Sequence, residues 1–379
     1  MNKLVLFIII CISGISFADI PEIDFGGEAR FRTTYLSETE EYETDLKGNL
    51  SIEISGDSGF YQSTLLEIGS VNLNDETKIY DFLEVETKEL FFGYKNSFLD
   101  SKIGLIDVKT PKEIIYSGED LGLQLKLEMD DLEFKGFYAL PNIIDDTLTV
   151  LDDFSQLNHL IYLGLEYKDF HETDLKLWAT YFQDNDEKDY SYYSAWIGLE
   201  IEKQIKNLDT EIGVIYNLGE VADKDIPLNS WLGYMELSLD IDKKSKLFSR
   251  INITMNSNGE DTINQFQSVD GDGVLNTGLS LFSEDYSDLD NLSTNDLIYE
   301  DLGVFFYEIG YRREFKTIPL NSEIILGGAN SGMIFNGFEL DINNNFQITK
   351  HLELNLDTAL IFLAEEDDYS LKCYLEHSF

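Results

Sequence analysis

Apolar and polar side chains alternate along most of this chain. The alternation is cleanest in residues 121–129, where Leu or Met fills every odd position and Gly, Gln, Lys and Glu fill the even ones. A period of two places the apolar side chains on one face of a β-strand and the polar ones on the other. The pattern recurs in residues 25–35, 46–54, 247–255 and 352–362, and helical spacing fits none of these stretches.

Eighteen segments of this kind predict eighteen β-strands. Most are close to the length of roughly ten residues that a tilted strand needs to cross a bilayer. They cover residues 24–36, 45–55, 60–70, 80–95, 101–108, 120–129, 132–141, 159–168, 173–183, 190–203, 207–218, 230–241, 246–256, 302–314, 319–328, 334–346, 351–363 and 369–379.

The connections between the predicted strands alternate in length. Tight connections fall at residues 56–59, 130–131, 169–172, 204–206, 242–245 and 315–318, and longer acidic ones at 37–44, 142–158, 219–229 and 257–301. Short turns on one rim and long loops on the other are typical of outer-membrane barrels, whose short turns are periplasmic. We therefore predict an all-β fold, a transmembrane antiparallel up-and-down β-barrel of about 18 strands with long extracellular loops. An even number of strands puts both termini on the periplasmic side.

Aromatic residues cluster near both predicted rims. Tyr181, Tyr190 and Trp231 lie beside the long connections, whereas Phe170 and Phe315 lie beside the short turns. Two girdles of amphipathic rings are what the two interfaces of a bilayer favour. The alternative is a soluble protein of packed β-sheets with aromatics in its core. That alternative would require a second sheet against every first one, and sandwich strands are normally shorter than these.

Both ends of the chain carry features of an exported barrel. Residues 1–18 combine Lys3, an apolar run at 4–12 and small residues ending at Ala18, which predicts a signal peptide because the run is too short to span a bilayer. The final alternating segment closes on Phe379, which resembles the C-terminal assembly signal of bacterial outer-membrane barrels. We thus expect residues 19–379 to form a barrel in the cell outer membrane, with lipid and the barrel-assembly machinery as partners.

The composition excludes several classes of protein. A formal net charge of −45 excludes nucleic acid as a partner, because phosphate binding requires a basic surface. Only Cys373 remains once the leader is removed, so no intramolecular disulfide can form. The four histidines make no recognisable catalytic set with a serine and an acid. We expect no enzymatic activity, no catalytic residue, no cofactor and no metal site.

The inward rows of the predicted strands are rich in charge. A barrel of 16–18 strands encloses a water-filled channel rather than a packed interior. The residues that we expect to line this pore are Glu28, Arg30, Arg32, Lys126, Arg250, Glu308 and Arg312. Acidic side chains outnumber basic ones on these rows, and rings of charge decide which ions pass. The sequence therefore predicts a passive diffusion channel for small hydrophilic solutes that favours cations.

Four arginines on inward positions leave the choice of solute open. Arg30, Arg32, Arg250 and Arg312 would form one cationic arc if the strands that carry them lay close together. Such an arc would guide a saccharide or a carboxylate through a substrate-selective channel by bidentate pairing. The other interpretation is that each arginine neutralises neighbouring carboxylates. A barrel that does not conduct, with a structural or adhesive role at the surface, is a third possibility.

The connection at residues 257–301 is the longest of the predicted loops. It contains many Asp and Glu residues and neither Lys nor Arg. Asp270-Gly271-Asp272-Gly273 is reminiscent of a calcium loop, but Leu275 stands where an EF-hand needs Gly. We expect a solvated extracellular loop that folds over the channel mouth, since loops of this length are usually functional.

One stretch resembles a known family of channels. Residues 102–111 (KIGLIDVKTP), 117–122 and 136–141 are similar to the corresponding part of alginate-export-like and related 18-stranded porins. The resemblance covers about forty residues and implies a glycine-containing strand, an inward-reaching loop and the next hairpin. The alginate channel of that family is rich in inward Arg and Lys, whereas the inward rows here are mostly acidic, which argues against a polyanionic solute. The sequence leaves open whether the barrel is a homotrimer or a monomer.

Overall fold

The fold was determined as a computed structural model, which describes residues 22–36, 41–56, 58–72, 85–141, 158–184, 192–221, 226–256, 304–315, 318–331, 334–363 and 367–378. The predicted signal peptide, the assembly signal at Phe379 and the loop at residues 257–301 lie outside these residues. Among the described residues, no helix is long and apolar enough to cross a membrane.

The described part of the chain forms eighteen β-strands and one short 3₁₀ turn at Pro111–Glu113. The strands are β1 (Glu22–Leu36), β2 (Glu41–Ser55), β3 (Phe60–Asn72), β4 (Val85–Lys95), β5 (Leu99–Lys109), β6 (Ser117–Met129), β7 (Leu132–Leu140), β8 (His159–Tyr167), β9 (Asp174–Asp184), β10 (Tyr192–Ile205), β11 (Leu208–Val221), β12 (Ile226–Asp242), β13 (Ser245–Asn256), β14 (Val304–Glu314), β15 (Leu320–Ser331), β16 (Ile334–Thr349), β17 (Leu352–Leu363) and β18 (Asp367–Ser378).

The strands close into a single antiparallel barrel. Each strand pairs with its neighbours in the chain, and β1 pairs with β18 in a register that runs from Glu28 opposite Ser378 to Leu36 opposite Ser370. Closure leaves no unpaired sheet edge, which is the condition for a β-structure to cross hydrocarbon. The predicted fold class and the predicted strand number are both confirmed.

Side chains alternate between the two faces of the wall as the sequence predicts. In β10, Trp196 and Glu200 are buried inside the barrel, whereas Ile197 and Leu199 between them are exposed on the outside. The same outer face carries exposed apolar side chains on most strands, up to Phe25, which is 69% exposed. A continuous apolar outer surface of this extent is stable only if lipid covers it.

Several strands run further than the hydrophobic pattern predicts. β2 begins at Glu41, β11 continues to Val221 and β12 begins at Ile226, so most of the loops predicted at residues 37–44 and 219–229 is strand. The prediction was wrong there because it followed the apolar alternation, which weakens where acidic residues enter. Backbone pairing continues beyond the apolar band, as in Tyr35 opposite Tyr42.

The rim with the tight connections also holds both ends of the described chain. Glu22 at the start of β1 lies opposite Ser55, which precedes the connection between β2 and β3. The two-residue connection after β6 contains Asp130 at φ 49°, and the connection after β10 contains Lys206 at φ 60°. These left-handed conformations let a chain reverse within two residues. Exposed Phe98 and Phe170 lie in connections of this rim, where rings were predicted.

Candidate functional site: the narrowed lumen

The hairpin of β5 and β6 leaves the barrel wall and enters the lumen. The pairing of β5 with β4 ends at Leu105 opposite Leu90, and the pairing of β6 with β7 ends at Leu121 opposite Leu140. Beyond these positions β5 and β6 pair only with each other, up to Lys109 opposite Ser117. We call residues 106–120 the inward hairpin. It is the inward-reaching loop that the resemblance to 18-stranded porins implied.

Two glycines form the bend at which the hairpin departs. Gly104 and Gly122 lie opposite each other. Each is adjacent to the last residue of its strand that still pairs with the wall, which is Leu105 on β5 and Leu121 on β6. Gly104 adopts φ +139°, and a Cβ at this position would overlap the carbonyl oxygen of Leu90. A Cβ at Gly122 would similarly press on the carbonyl oxygen of Tyr138. The bend therefore requires the absence of a side chain on both strands.

One face of the inward hairpin is apolar and packs against the inner wall. Its buried side chains belong to one cluster with inward-facing residues of β4 and of β7–β12. The hairpin contributes Ile106, Val108, Ile114, Ile115 and Tyr116, and the wall contributes Phe91, Phe137, Ala139, Leu160, Tyr162, Trp178, Phe182, Trp196, Ile215, Leu228, Leu232 and Tyr234. Burying one Ile or Val side chain stabilises by roughly 1.5–3 kcal/mol, so the hairpin is held firmly against this wall.

The tip of the hairpin is closed by its own hydrogen bonds. The Thr110 hydroxyl oxygen accepts from the backbone N–H of Ile115 at 3.2 Å and of Tyr116 at 3.0 Å. The Thr110 N–H in turn donates to the Tyr116 carbonyl at 3.0 Å. The Tyr116 hydroxyl donates to the buried Asp120 carboxylate. These bonds satisfy the polar groups that docking buries and fix the shape of the tip.

Lys112 at the tip reaches across the lumen to β11 and β12. Its ammonium donates to Glu211 at 2.7 Å and to Glu236 at 3.0 Å. Burial alone would lower the pKa of Lys112, but the hydrogen bonds and the attraction of the two carboxylates outweigh burial and raise it. Because the pKa is raised, this ion pair stabilises the folded state at neutral pH. Its stabilising effect is lost only as the pH rises above the ordinary lysine range.

The contact spans several strands of the barrel and therefore divides the channel cross-section. The hairpin arises between β5 and β6, six strands away from β11. A cavity of about 530 Å³ lies beside the tip, and both Lys112 and Glu236 line it. The inward hairpin thus narrows this level of the lumen, and we call the level the constriction.

A row of charged side chains crosses the wall that faces the constriction. Glu202 on β10 lies opposite Glu211, which lies opposite Glu236, so three carboxylates are direct cross-strand neighbours. Like charges in such positions normally destabilise a sheet. Here cations lie between them: Lys112 bridges Glu211 and Glu236, and Lys176 pairs with Glu202.

The row continues in both directions around the barrel. On β13, Arg250 donates from Nε to Glu236 at 2.9 Å and lies 3.9 Å from Glu308 of β14. On β7, Glu133 accepts from Lys168 at 2.7 Å and lies 3.3 Å from Lys126. The five carboxylates of this row face five cationic side chains. The lumen beside the hairpin tip is consequently a field of paired charges.

The remaining wall, formed by β13–β18 and β1–β3, carries a polar lining of a different kind. Asn345 donates to Asn355 at 2.6 Å and to Glu353 at 2.8 Å. Arg312 donates to both carboxylate oxygens of Glu323, at 2.9 and 3.0 Å from its Nη2. The apolar cluster of the inward hairpin lies on the opposite wall, and we call this second wall the open wall. Some of its inward side chains, such as Phe306 and Ile325, are nevertheless buried.

The seven residues predicted to line the pore all lie on inward-facing positions, but not together. Glu28, Arg30 and Arg32 lie on β1, whose alternate residues Phe25 and Phe31 are exposed outside. The others are distributed over three strands: Lys126 on β6, Arg250 on β13, and Glu308 and Arg312 on β14. Four strands, β15–β18, lie between β14 and β1, so Arg250 and Arg312 are on one part of the wall and Arg30 and Arg32 on another.

The pairing of two arginines follows the neutralising interpretation. Arg250 contacts Glu236 and Glu308, and Arg312 contacts Glu323. Sequence reasoning missed Lys112, the cation at the hairpin tip, together with its partners Glu211 and Glu236. The signal that could have identified it is the apolar triplet Ile114-Ile115-Tyr116, which follows Pro111 in a connection where polar residues are expected.

Comparisons with known proteins identify the fold. No family model matches the sequence, and no curated protein matches it either. Among solved structures, the chain is similar to OccK5 (OpdH) of Pseudomonas aeruginosa, with a TM-score of 0.63 and 11% identity over 94% of this chain and 98% of that one. It is also similar to the outer-membrane protein OpdK of the same organism, with a TM-score of 0.63 and 14% identity over 94% and 99% of the two chains.

A third similar structure comes from another organism. The trimer form of OmpT of Vibrio cholerae matches with a TM-score of 0.56 and 9% identity, over 95% of this chain and 100% of that one. At these identities the likeness concerns the fold. It confirms the resemblance to 18-stranded porins at the level of architecture.

Proposed function

We propose that the protein is an outer-membrane porin, a passive diffusion channel for small hydrophilic solutes. A closed barrel with an apolar outer face and a charged inner face is suited to one setting, with lipid outside and water inside. The fold shared with OpdK, an outer-membrane protein of Pseudomonas aeruginosa, supports the same location. The predicted leader and the terminal Phe379 are consistent with export and with assembly by the barrel-assembly machinery.

The observation that carries the proposal is the constriction made by the inward hairpin. Lys112 reaches across the lumen to Glu211 and Glu236, so this contact narrows the passage among the described residues. Solutes that pass must exchange contacts with a charged, hydrated row. The excess of acidic residues in the chain, 72 Asp and Glu against 27 Lys and Arg, is the reason to expect a preference for cations.

Reconstitution in a planar bilayer tests the function. We expect steady unitary openings and, in a KCl gradient, a reversal potential that shows K⁺ crossing more readily than Cl⁻. Glu236→Gln should weaken this preference because it removes a carboxylate at the constriction, whereas Glu314→Gln at the barrel rim should leave it unchanged. Equal permeation of the two ions would refute the cation preference, and a silent bilayer with correctly folded protein would favour the non-conducting surface role.

A carboxylate-selective channel is the second candidate, supported by one side chain at the constriction. Lys135 lines the same cavity as Lys112, and no carboxylate lies within ion-pair distance of it among the residues that the structure describes. OpdK of Pseudomonas aeruginosa has been crystallised with vanillate, an aromatic carboxylate. If this candidate is correct, vanillate should block the single-channel current, and Lys135→Met should abolish the block without changing the open conductance.

The barrel fold is compatible with both a trimer and a monomer. OmpT of Vibrio cholerae has a trimer form, and we infer that this chain assembles either in that way or as a monomer. Size-exclusion chromatography with light scattering in detergent separates the two states.

A further inference from the structure

Three carboxylates at the constriction are spaced as the ligands of a metal ion would be. Glu200, Glu202 and Glu211 each offer an oxygen, and these oxygens all lie within 4.8 Å of one another. The spacing follows from the wall, because Glu202 and Glu211 are direct partners on adjacent strands. Two oxygens on opposite sides of a Ca²⁺ ion lie about 4.6–5.2 Å apart, since each Ca–O distance is about 2.3–2.6 Å. A cluster of acids alone does not make a site, so further features must point to a ligand.

The first such feature is the buried hydroxyl of Tyr234. Tyr234 is only 4% exposed, and its hydroxyl makes no hydrogen bond of normal geometry with the described residues, although it lies close to Glu200. Its ring lies across Gly213, where a Cβ would overlap the ring and the hydroxyl. Gly213 is the direct partner of Tyr234 on one side and of Glu200 on the other, so the ring extends from β12 towards Glu200. An orphaned hydroxyl directed at a carboxylate cluster offers a neutral oxygen ligand.

The second feature is an unused carboxylate oxygen. Lys112 binds Oε2 of Glu211, whereas Oε1 of the same group is buried and has no partner among the described residues. A buried anionic oxygen without a partner is costly, and a cation would relieve that cost.

The charge balance leaves room for a divalent ion. Five carboxylates at this position face four cationic side chains, so a negative charge remains for a cation to offset. The carboxylates are Glu200, Glu202, Glu211, Glu236 and Glu308, and the cations are Lys112, Lys135, Lys176 and Arg250.

The cluster is open to ions from two directions. Glu202 and Glu211 line a cavity of about 660 Å³ towards the tight-turn rim. Glu200 and Glu202 also line the cavity of about 530 Å³ beside the inward hairpin. A hydrated ion can therefore arrive through the channel and complete its shell with water, as Ca²⁺ commonly does.

We propose that Glu200, Glu202 and Glu211, together with the Tyr234 hydroxyl, bind one hard divalent cation of the Ca²⁺ type at the constriction. The ion is held by oxygens that Lys112 and Lys176 do not use, so both ammonium groups remain as outer partners of the ligands. Its presence removes the local negative excess. This site goes beyond the proposed transport function and does not depend on it.

Luminescence of Tb³⁺, which takes the ligands of Ca²⁺, tests the site directly. The Trp178 indole donates to Glu200 at 2.7 Å, so a bound Tb³⁺ lies next to an aromatic energy donor. With the full barrel folded in detergent, we expect saturable sensitised emission from one tight site. Ca²⁺ should abolish this emission by competition, and Mg²⁺ should compete less well because it demands a tighter, octahedral shell.

Two variants and a matched control decide the result. Glu211→Gln should weaken Tb³⁺ binding by roughly tenfold or more, and Tyr234→Phe should weaken it measurably while keeping the ring. Glu133→Gln removes a lumen carboxylate of the same row that already has two lysine partners, and it should leave the affinity unchanged. The proposal is overturned if folded wild-type protein gives no competable emission, or if all three variants bind Tb³⁺ like the wild type. This experiment measures ion binding, so its result tests the metal site independently of any conductance measurement.

Discussion

The two halves of the lumen have the same strand geometry and a different balance of side chains. On the covered wall, β7–β12, inward side chains such as Trp196, Ile215 and Leu232 are fully buried and apolar. On the open wall, β13–β18 with β1–β3, polar groups such as Asn345 and Asn355 share the inward positions with a few buried apolar side chains such as Phe306. The difference is the inward hairpin, whose apolar face lies on the first wall and not on the second.

The comparison shows what an inward apolar row means in a wide barrel. Water fills a barrel of this size, so an apolar residue pointing inward is unfavourable unless another part of the chain covers it. Such a row therefore marks the place where a segment docks. The polar rows of the open wall mark where solute and water pass.

Undocking the hairpin should have the largest effect. Ile115→Asp places a carboxylate in the apolar cluster, where an unpaired buried charge costs roughly 3–5 kcal/mol. We expect the hairpin to leave the covered wall, and the unitary conductance in a planar bilayer to rise because the constriction opens. Asn355→Asp adds the same charge to the open wall and should leave the conductance unchanged. An unaltered conductance in Ile115→Asp, with the barrel folded, would show that the hairpin does not set the pore width.

Straining the bend should have an intermediate effect. Gly104→Ala forces a side chain into a left-handed conformation against the Leu90 carbonyl, at a cost of roughly 1–3 kcal/mol. Urea unfolding in detergent, followed by the shift of the folded band on unheated gels, measures this loss. Gly233→Ala is the matched control, because nothing lies within 4 Å of a Cβ there and no strain arises. Equal midpoints for the two variants would contradict the role of Gly104.

Removing the ion pair between the hairpin tip and the covered wall should have the smallest effect on stability. It should nevertheless change ion selectivity measurably. Lys112→Met leaves Glu211 and Glu236 without their bridging cation while the apolar docking remains. A partly hydrated ion pair of this kind is worth about 0.5–1 kcal/mol. A change of the same size in the free energy of ion passage would raise the K⁺ to Cl⁻ permeability ratio roughly two- to fivefold. Lys244→Met, near a turn and 4.0 Å from Glu314, is the control and should give the wild-type ratio.

The wall of the barrel could be predicted from sequence because its signal is local. Each strand shows its own alternation, and the closed antiparallel order follows from the tight connections between successive strands. The predicted segment at residues 101–108 ends close to Leu105, and the one at 120–129 begins close to Leu121. These are the positions at which the wall pairing of β5 and β6 ends. Strand ends elsewhere were less accurate, since backbone pairing outlasts the apolar pattern in β2 and β12.

The site could not be predicted in the same way because its geometry is non-local. Ile106 and Val108 alternate with Asp107 and Lys109 as in any wall strand, and only the bend at Gly104 turns their apolar side towards the interior. The contact of Lys112 with Glu211 joins residues 99 positions apart, and no sequence spacing encodes it. The cluster around Tyr234 was missed for the same reason, since it needs three strands in register.

The position of the seam between the first and last strands has a consequence for how the barrel matures. The seam of β1 and β18 belongs to the open wall, and every buried member of the apolar cluster falls between Phe91 and Tyr234. A continuous middle portion of the chain thus holds the whole of this cluster. Pairing of β1 with β18, which closes the barrel, neither forms nor breaks any contact of the apolar cluster. The inward hairpin can therefore dock before the barrel closes.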